Sequence, residues 1–419
     1  MWHLAAGLLA PALRLNLRRR VRQDKEDPAR LGEREGFGAA RPGGRLFWFH
    51  AASVGEVLSL VPLLEEIARL EPALHLLVTT GTVTSARLLP KRLGASLAGR
   101  VIHRYAPLDV PAWVERFLDG WRPDAAALVE SELWPNTLAA LGKRGVPVSL
   151  VNARLSEKSA SRWRRYAPSL ARQLLGGIAL ILPRTAEDAG RLALLGGKAI
   201  EAPADLKLAA SPLPAHPATL PALRTAIAGR RVLLAASTHP GEDEMVMQAQ
   251  AAIGLPGLLT ILAPRHPHRG DGLARLCQGG RLSLGDLPDE RPFFVADTIG
   301  DMGLLYRVAD VAFIGGSLVP HGGQNPLEAA KLLCPALMGP HRGNFTELAD
   351  ALLAAGALRE VVDAEALAQS ARAVLTDAGV AAAMRQGAQG FTEAASHIPG
   401  RLARSLIATL PRMGKAGHT

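Results

Sequence analysis

The sequence predicts an α/β protein of two doubly wound, Rossmann-like lobes in succession. Three observations predict it. The chain has 419 residues, more than one domain of ordinary size needs. Short apolar runs of strand length alternate with longer stretches of helical period. That alternation breaks at a proline-rich stretch in mid-chain and then restarts. Apolar strands separated by helices make βαβ units, and hence parallel sheets.

The N-terminal segment, residues 1–35, carries an uncharged run from Leu4 to Leu13, followed by Arg18, Arg19, Arg20 and Arg22. Ten apolar residues are too few to span a bilayer, which takes about 20. A signal peptide would place its positive charge before the apolar run. The order found suits a segment that dips into an anionic membrane, its arginines on phosphate headgroups. The alternative is an amphipathic helix packed on the body of the protein.

The first lobe is expected over residues 36–210, with strands at 45–50, 74–79, 125–129, 146–151 and 179–182 and a helix at 57–70. Prolines from Ser211 to Pro221 mark a linker. The second lobe, 211–395, has strand candidates at 232–236, 258–263, 293–295 and 311–314. Residues 396–419 read as a helical tail. Two such lobes offer an interdomain cleft at the carboxyl ends of their strands, where doubly wound sheets bind ligands.

Lys and Arg number 48 against 38 Asp and Glu, a net charge of +10. This favours anionic partners: phosphates, nucleic acid or an anionic membrane. The sequence has no RNA-binding signature, zinc-finger spacing or basic zipper, so no nucleic-acid partner is expected. Cys277 and Cys334 belong to no Cys-x-x-Cys pair and read as buried thiols.

Four segments carry candidate chemistry. In His50–Glu56 (HAASVGE) a strand ends and a helix begins; free N–H groups there favour an anion. Ser53 and Glu56 have capping-box spacing, Gly55 allows close approach, and Glu56 sits in the first helical turn. Glu130–Asn136 (ESELWPN) follows the strand at 125–129 and places Glu130 and Glu132 at a strand's carboxyl end. Asn152, Arg154 and Ser156 follow the next strand. In the second lobe, STHPGE at 237–242 and PRHPHR at 264–269 offer Arg265 and Arg269 to a phosphate or carboxylate. His239, His266 and His268 lack a companion carboxylate at ligand spacing, so no metal site is expected. Last, Gly315, Gly316 and Ser317 open a glycine-rich loop running through Gly323, Gln324 and Asn325 to Glu328. Its amides could cradle a phosphate and Glu328 could take ribose hydroxyls. It is neither Gly-x-Gly-x-x-Gly nor a P-loop.

In order and spacing these segments, with NARLS at 152–156, GGSLVPHGGQNPLE at 315–328 and GPHRGNF at 339–345, resemble the 3-deoxy-D-manno-octulosonic acid (Kdo) transferase family over about 300 residues. The resemblance implies the GT-B glycosyltransferase fold and no cofactor. It implies transfer of Kdo from CMP-Kdo to a lipid A precursor in lipopolysaccharide biosynthesis. It places the enzyme on the cytoplasmic face of the bacterial inner membrane, attached through its N-terminus to the anionic surface. The first lobe would bind the acceptor, with Ser53, Gly55, Glu130, Glu132, Asn152 and Arg154 around it. The second would bind CMP-Kdo through Arg265, His266 and the glycine-rich loop. Glu56 matches the general base. The residues alone leave open another nucleotide sugar, or a silent nucleotide-sugar-binding protein.

Three positions depart from the family pattern. Gln324 stands where His is usual. Ala204-Asp205-Leu206-Lys207 replaces Gly-Asn-Leu-Lys, and Pro183-Arg184-Thr185 replaces a Gln-Ser pair.

Overall fold

The computed structural model describes residues 6–411 apart from Ala98. The start of the apolar run, Leu4 and Ala5, and the tail from residue 412 lie outside the described residues. The chain forms two compact units. One holds the residues up to Ala210 together with those from Ser396 onward; the other is Ser211–Ala395. The last helix, Ile398–Ala408, thus belongs to the first unit, where it packs on the helix Val54–Leu70.

In the first unit the strands are β1 Leu46–Ala51, β2 His75–Thr80, β3 Val101–Tyr105, β4 Ala125–Val129, β5 Val148–Ala153 and β6 Leu180–Pro183. They lie in the order β3-β2-β1-β4-β5-β6, all parallel. Every residue of β1 and β4 is buried, as a central parallel strand with helices on both faces requires. Alternation sorts the side chains. Phe47 and Phe49 meet Val57, Leu60 and Leu64 on one face. Leu46 and Trp48 meet Val114, Phe117 and Trp121 on the other.

The second unit has β7 Val232–Thr238, β8 Leu259–Pro264, β9 Gly280–Arg281, β10 Phe293–Val295, β11 Val311–Ile314, β12 Ala336–Met338 and β13 Leu358–Glu360. Their order is β13-β12-β11-β7-β8-β10-β9. Each sheet therefore reverses direction once, between β1 and β4 in the first unit and between β7 and β11 in the second. Such switch points open crevices at the strands' carboxyl ends.

The sequence pattern missed four strands. β3 and β13 are outer strands carrying polar residues, β9 has two residues and β12 has three. None is long enough or apolar enough to stand out as a buried run. The helix expected at 57–70 starts three residues earlier, at Val54, because Ser53 caps it.

At the N-terminus, the helix Ala10–Val21 buries Leu17 alone. Arg14 pairs with Glu35 at 2.7 Å and Arg20 with Glu26 at 3.0 Å. Leu8, Leu9 and Leu15 remain exposed, as do Arg18, Arg19 and Arg22. Among the described residues no helix is long and apolar enough to cross a membrane.

Candidate active site

Both switch points carry the motifs singled out in the sequence. In the first unit, β1 runs into Ala52-Ser53 and the helix Val54–Leu70. Ser53 Oγ accepts the Glu56 N–H at 3.4 Å, the capping bond expected of this spacing. The Glu56 carboxylate accepts the Ala52 N–H at 2.7 Å and the Ser53 hydroxyl at 2.6 Å. Glu56 is 7% exposed. Gly55 beside it is open: a Cβ built there meets nothing within 4 Å.

His50, in β1, is buried. Its Nδ1 lies 3.0 Å from Thr79 Oγ1, and its Nε2 lies 3.7 Å from Glu132 Oε2. Glu132 also accepts the Trp134 indole N–H. Burial pushes the Glu132 carboxyl up, but His50 and Trp134 together outweigh it and hold the group below its ordinary range. Glu130 has a different partner. Its Oε1 lies 2.6 Å from Lys207 Nζ. The two carboxylates of ESELWPN thus stand in separate surroundings.

Asn152 does not reach the rim expected of it. It is fully buried and its amide oxygen accepts the Leu206 N–H at 2.8 Å. Its backbone is left-handed, with φ 53°, at the point where the β5–β6 pairing register shifts between Val151 and Ala153. Arg154 is exposed, with no carboxylate partner among the described residues.

In the second unit the structure overturns one expectation. The amides of residues 315–318, 323 and 324 are not open to a phosphate. Glu242, fully buried, takes them instead. Its Oε2 accepts from His239 N at 2.9 Å and Gly316 N at 2.6 Å. Its Oε1 accepts from Ser317 N at 2.9 Å and Leu318 N at 3.0 Å. Gly315 N–H is given to Ala236 O, Gly323 N–H to Gly316 O and Gln324 N–H to Gly315 O. The Ser317 hydroxyl is buried and accepts the Gly339 N–H at 2.8 Å. Gly315 is needed for packing, since a Cβ there would lie 2.6 Å from Ser237 O. Backbone amides inside a folded core find internal acceptors, and here a carboxylate supplies them.

Side chains face outward at the same end of the sheet. Arg265 and His266 are exposed at the end of β8. Arg269, also a candidate in the sequence, is engaged instead with the buried Asp243 and with Thr238 O. Glu328 lies in a helix of one turn, Leu327–Ala330, whose first N–H is capped by Asn325 Oδ1 at 3.1 Å. Burial raises the Glu328 carboxyl above its ordinary value, with Asn325 and Arg265 pulling the other way.

Histidines gather at the same end of the sheet. His239 stacks on His321, with ring centroids 4.3 Å apart, and meets His266 edge-on at 6.1 Å. Burial, then the neighbouring His321, His266 and Arg269, hold the His239 imidazole below its ordinary value, with Glu242 pulling the other way. It is therefore neutral near pH 7, and its Nε2 accepts from the Gln324 amide at 3.2 Å. Among the described residues no three His, Cys, Asp or Glu side chains converge as metal ligands.

Sequence reasoning missed Glu242 and Lys207. Glu242 had a signal: a Gly-Glu pair stands at the start of the helix after β7, as Gly55-Glu56 stands in the first turn of the helix after β1. Lys207 is 77 residues from Glu130, and no local pattern joins them.

A family model described as 3-deoxy-D-manno-octulosonic-acid transferase (kdotransferase) matches residues 29–210. The 3-deoxy-D-manno-octulosonic acid transferase of Haemophilus influenzae is 35% identical over 360 residues, covering 83% of each chain. That of Bordetella pertussis is 34% identical over 412 residues, covering 94% of this chain and 95% of its own. Among solved structures, a UDP-GlcNAc 2-epimerase from Neisseria meningitidis matches with TM-score 0.58 and 10% identity, over 87% of this chain and all of its own. A glycosyltransferase from Rickettsia africae matches with TM-score 0.56 and 12% identity, over 89% of this chain and all of its own. At such identities the two structures speak for the GT-B fold alone.

Proposed function

Since the chain belongs to the Kdo transferase family, glycosyltransferases of lipopolysaccharide biosynthesis, we propose that it moves Kdo from CMP-Kdo to a lipid A precursor with Glu56 as general base. An acceptor sugar hydroxyl gives its proton to the Glu56 carboxylate. Its oxygen bonds to the anomeric carbon of Kdo as the bond from that carbon to the CMP phosphate breaks. CMP leaves with the electron pair, and the anomeric centre inverts.

The amides of residues 315–318 are occupied by Ala236 O and Glu242, so the charge on the departing phosphate falls mainly to side chains. Arg265 is the group for it, with His266 beside it; a guanidinium binds phosphate oxygens in pairs. Gln324, Asn325 and Glu328 lie on the same edge and face the nucleotide. On the first unit Arg154 meets an anionic group of the acceptor, and Glu132, ordered by His50 and Trp134, takes its hydroxyls. Ser53 and Gly55 line the approach to Glu56. The exposed leucines and arginines of the N-terminal helix rest on the anionic cytoplasmic face of the inner membrane.

One observation carries the assignment of the base. Glu56 holds two hydrogen bonds at a helix start beside an open Gly55, which leaves carboxylate lone pairs for a substrate proton. The test is transfer from CMP-Kdo to tetraacylated lipid A precursor, followed by mass spectrometry. Wild type should add Kdo, and Glu56→Gln should be slower by about 100-fold or more. Equal rates would remove Glu56 as base. No transfer by folded wild type would point to another nucleotide sugar or to a silent binding protein.

A further inference from the structure

The first unit carries a second basic surface, separate from the N-terminal arginines. Between residues 154 and 177 stand six cationic side chains, Arg154, Lys158, Arg162, Arg164, Arg165 and Arg172, and one carboxylate, Glu157. Glu157 is taken by Arg191 at 3.2 Å. The six cations are exposed. None has a carboxylate partner among the described residues.

The helix Glu157–Tyr166 arranges these charges. It buries Ala160, and Trp163 packs beside it on the core. Lys158, Arg162 and Arg165 recur at i, i+4 and i+7, which puts them in one stripe opposite that buried side. Tyr166 stands on the shoulder of the stripe, 73% exposed, with Arg165 over its ring at 5.5 Å. Mutual repulsion of unpaired cations on one helix face costs stability. An outside anion offsets that cost. Long basic side chains with an aromatic at their edge suit a headgroup layer, since their stems can lie along apolar surface while the charges reach phosphate.

We propose that the outward stripe of this helix is a membrane-docking surface for anionic lipid headgroups, additional to the N-terminal segment. The proposal deepens the lipid-acceptor reading, but its binding arm needs no donor and no catalysis. Each Lys or Arg near an anionic bilayer adds several-fold to binding. Removal of three should therefore weaken it by roughly a hundredfold.

The test is sedimentation of the full chain with vesicles of phosphatidylcholine containing phosphatidylglycerol, against phosphatidylcholine alone. The variant is Lys158→Gln/Arg162→Gln/Arg165→Gln, with Arg18, Arg19 and Arg20 intact. Gln matches Lys and Arg in helix propensity, so the helix persists; thermal melting checks this. Should the triple variant fail to fold, Lys158→Gln and Arg165→Gln are read singly, each with a several-fold loss. The expected result is lost binding to anionic vesicles, unchanged binding to neutral ones, and unchanged Kdo transfer to acceptor dispersed in detergent. Undiminished binding by the variant would overturn the proposal. So would transfer lost equally in detergent, which would assign the stripe to the acceptor. A wild type that binds vesicles through the stripe yet transfers no Kdo would overturn the function and leave the surface standing.

Discussion

Glu242→Gln tests what organises the glycine-rich loop. The carboxylate accepts four backbone N–H groups, two on each oxygen. A carboxamide keeps one acceptor oxygen and puts an NH2 group where the other stood. Two amide donors would then face a donor in a site closed to water. A buried donor left unbonded costs about 1–3 kcal/mol, so two cost about 2–6 kcal/mol. Removal of a buried charge offsets part of this. A net loss of about 3 kcal/mol remains, which for a unit of this size lowers the melting temperature by about 6–12 °C. Calorimetry reads the melting. Amide hydrogen exchange locates the effect, with protection lost at Gly316, Ser317 and Leu318. A variant that melts as wild type does and keeps those amides protected would refute the reasoning.

Other outcomes follow from the same geometry. Gly55→Ala meets open space in a helix, so stability should hold or rise by up to about 1 kcal/mol; transfer should fall if substrate occupies that space, as a coupled melting and rate measurement would show. Asn152→Ala removes the acceptor for Leu206 N–H and places Ala at φ 53°. It should cost about 2–4 kcal/mol in urea unfolding, and Asn152→Gly less, since glycine tolerates that backbone. Arg265→Ala should weaken CMP binding by calorimetric titration while leaving the melting temperature unchanged, because the side chain is exposed. Burial, with Arg30, Arg104 and Arg34 close by, depresses the His103 imidazole to about 3. Its folded value lies below the unfolded one, so its contribution is complete above about pH 6.5 and is lost as pH falls toward 3. Between pH 7 and 5 the loss is up to about 2 kcal/mol; His103→Gln should flatten that stretch of the stability profile, and an unaltered profile would discount the group.

The buried strands at the centre of each sheet were legible because a parallel strand covered on both faces must be apolar throughout. The linker was legible because prolines and small residues cannot continue either element. Outer strands such as β3 were not, since half-exposed backbone tolerates His103 and Arg104 in its midst. In the site, the sequence identified which loops matter but not where their hydrogen bonds go. A glycine-rich turn after a strand reads the same whether its amides face a phosphate or a carboxylate from the same core. Only the fold, which brings Glu242 under residues 316–318, tells these apart. For the same reason Asn152 read as a rim residue: a partner 54 residues away, the Leu206 N–H, leaves no trace in local pattern.

The two Gly-Glu pairs bring the two lobes into direct comparison. Each places its Glu in the first turn of the helix that follows a central strand, Gly55-Glu56 after β1 and Gly241-Glu242 after β7. Each carboxylate accepts an amide from the turn before it, Ala52 N–H or His239 N–H. The difference lies across the switch point. In the second unit β11 runs into Gly316-Ser317-Leu318, whose amides close on Glu242 and leave it fully buried. In the first unit β4 runs into Glu130, which adopts φ 58° and pairs with Lys207. A left-handed conformation at a non-glycine residue is held only where surrounding contacts impose it. The loop after β4 supplies no amide to Glu56. The first-turn carboxylate is thus spent on structure in one lobe and left with lone pairs to offer in the other, which is the asymmetry the proposed acid–base step calls for.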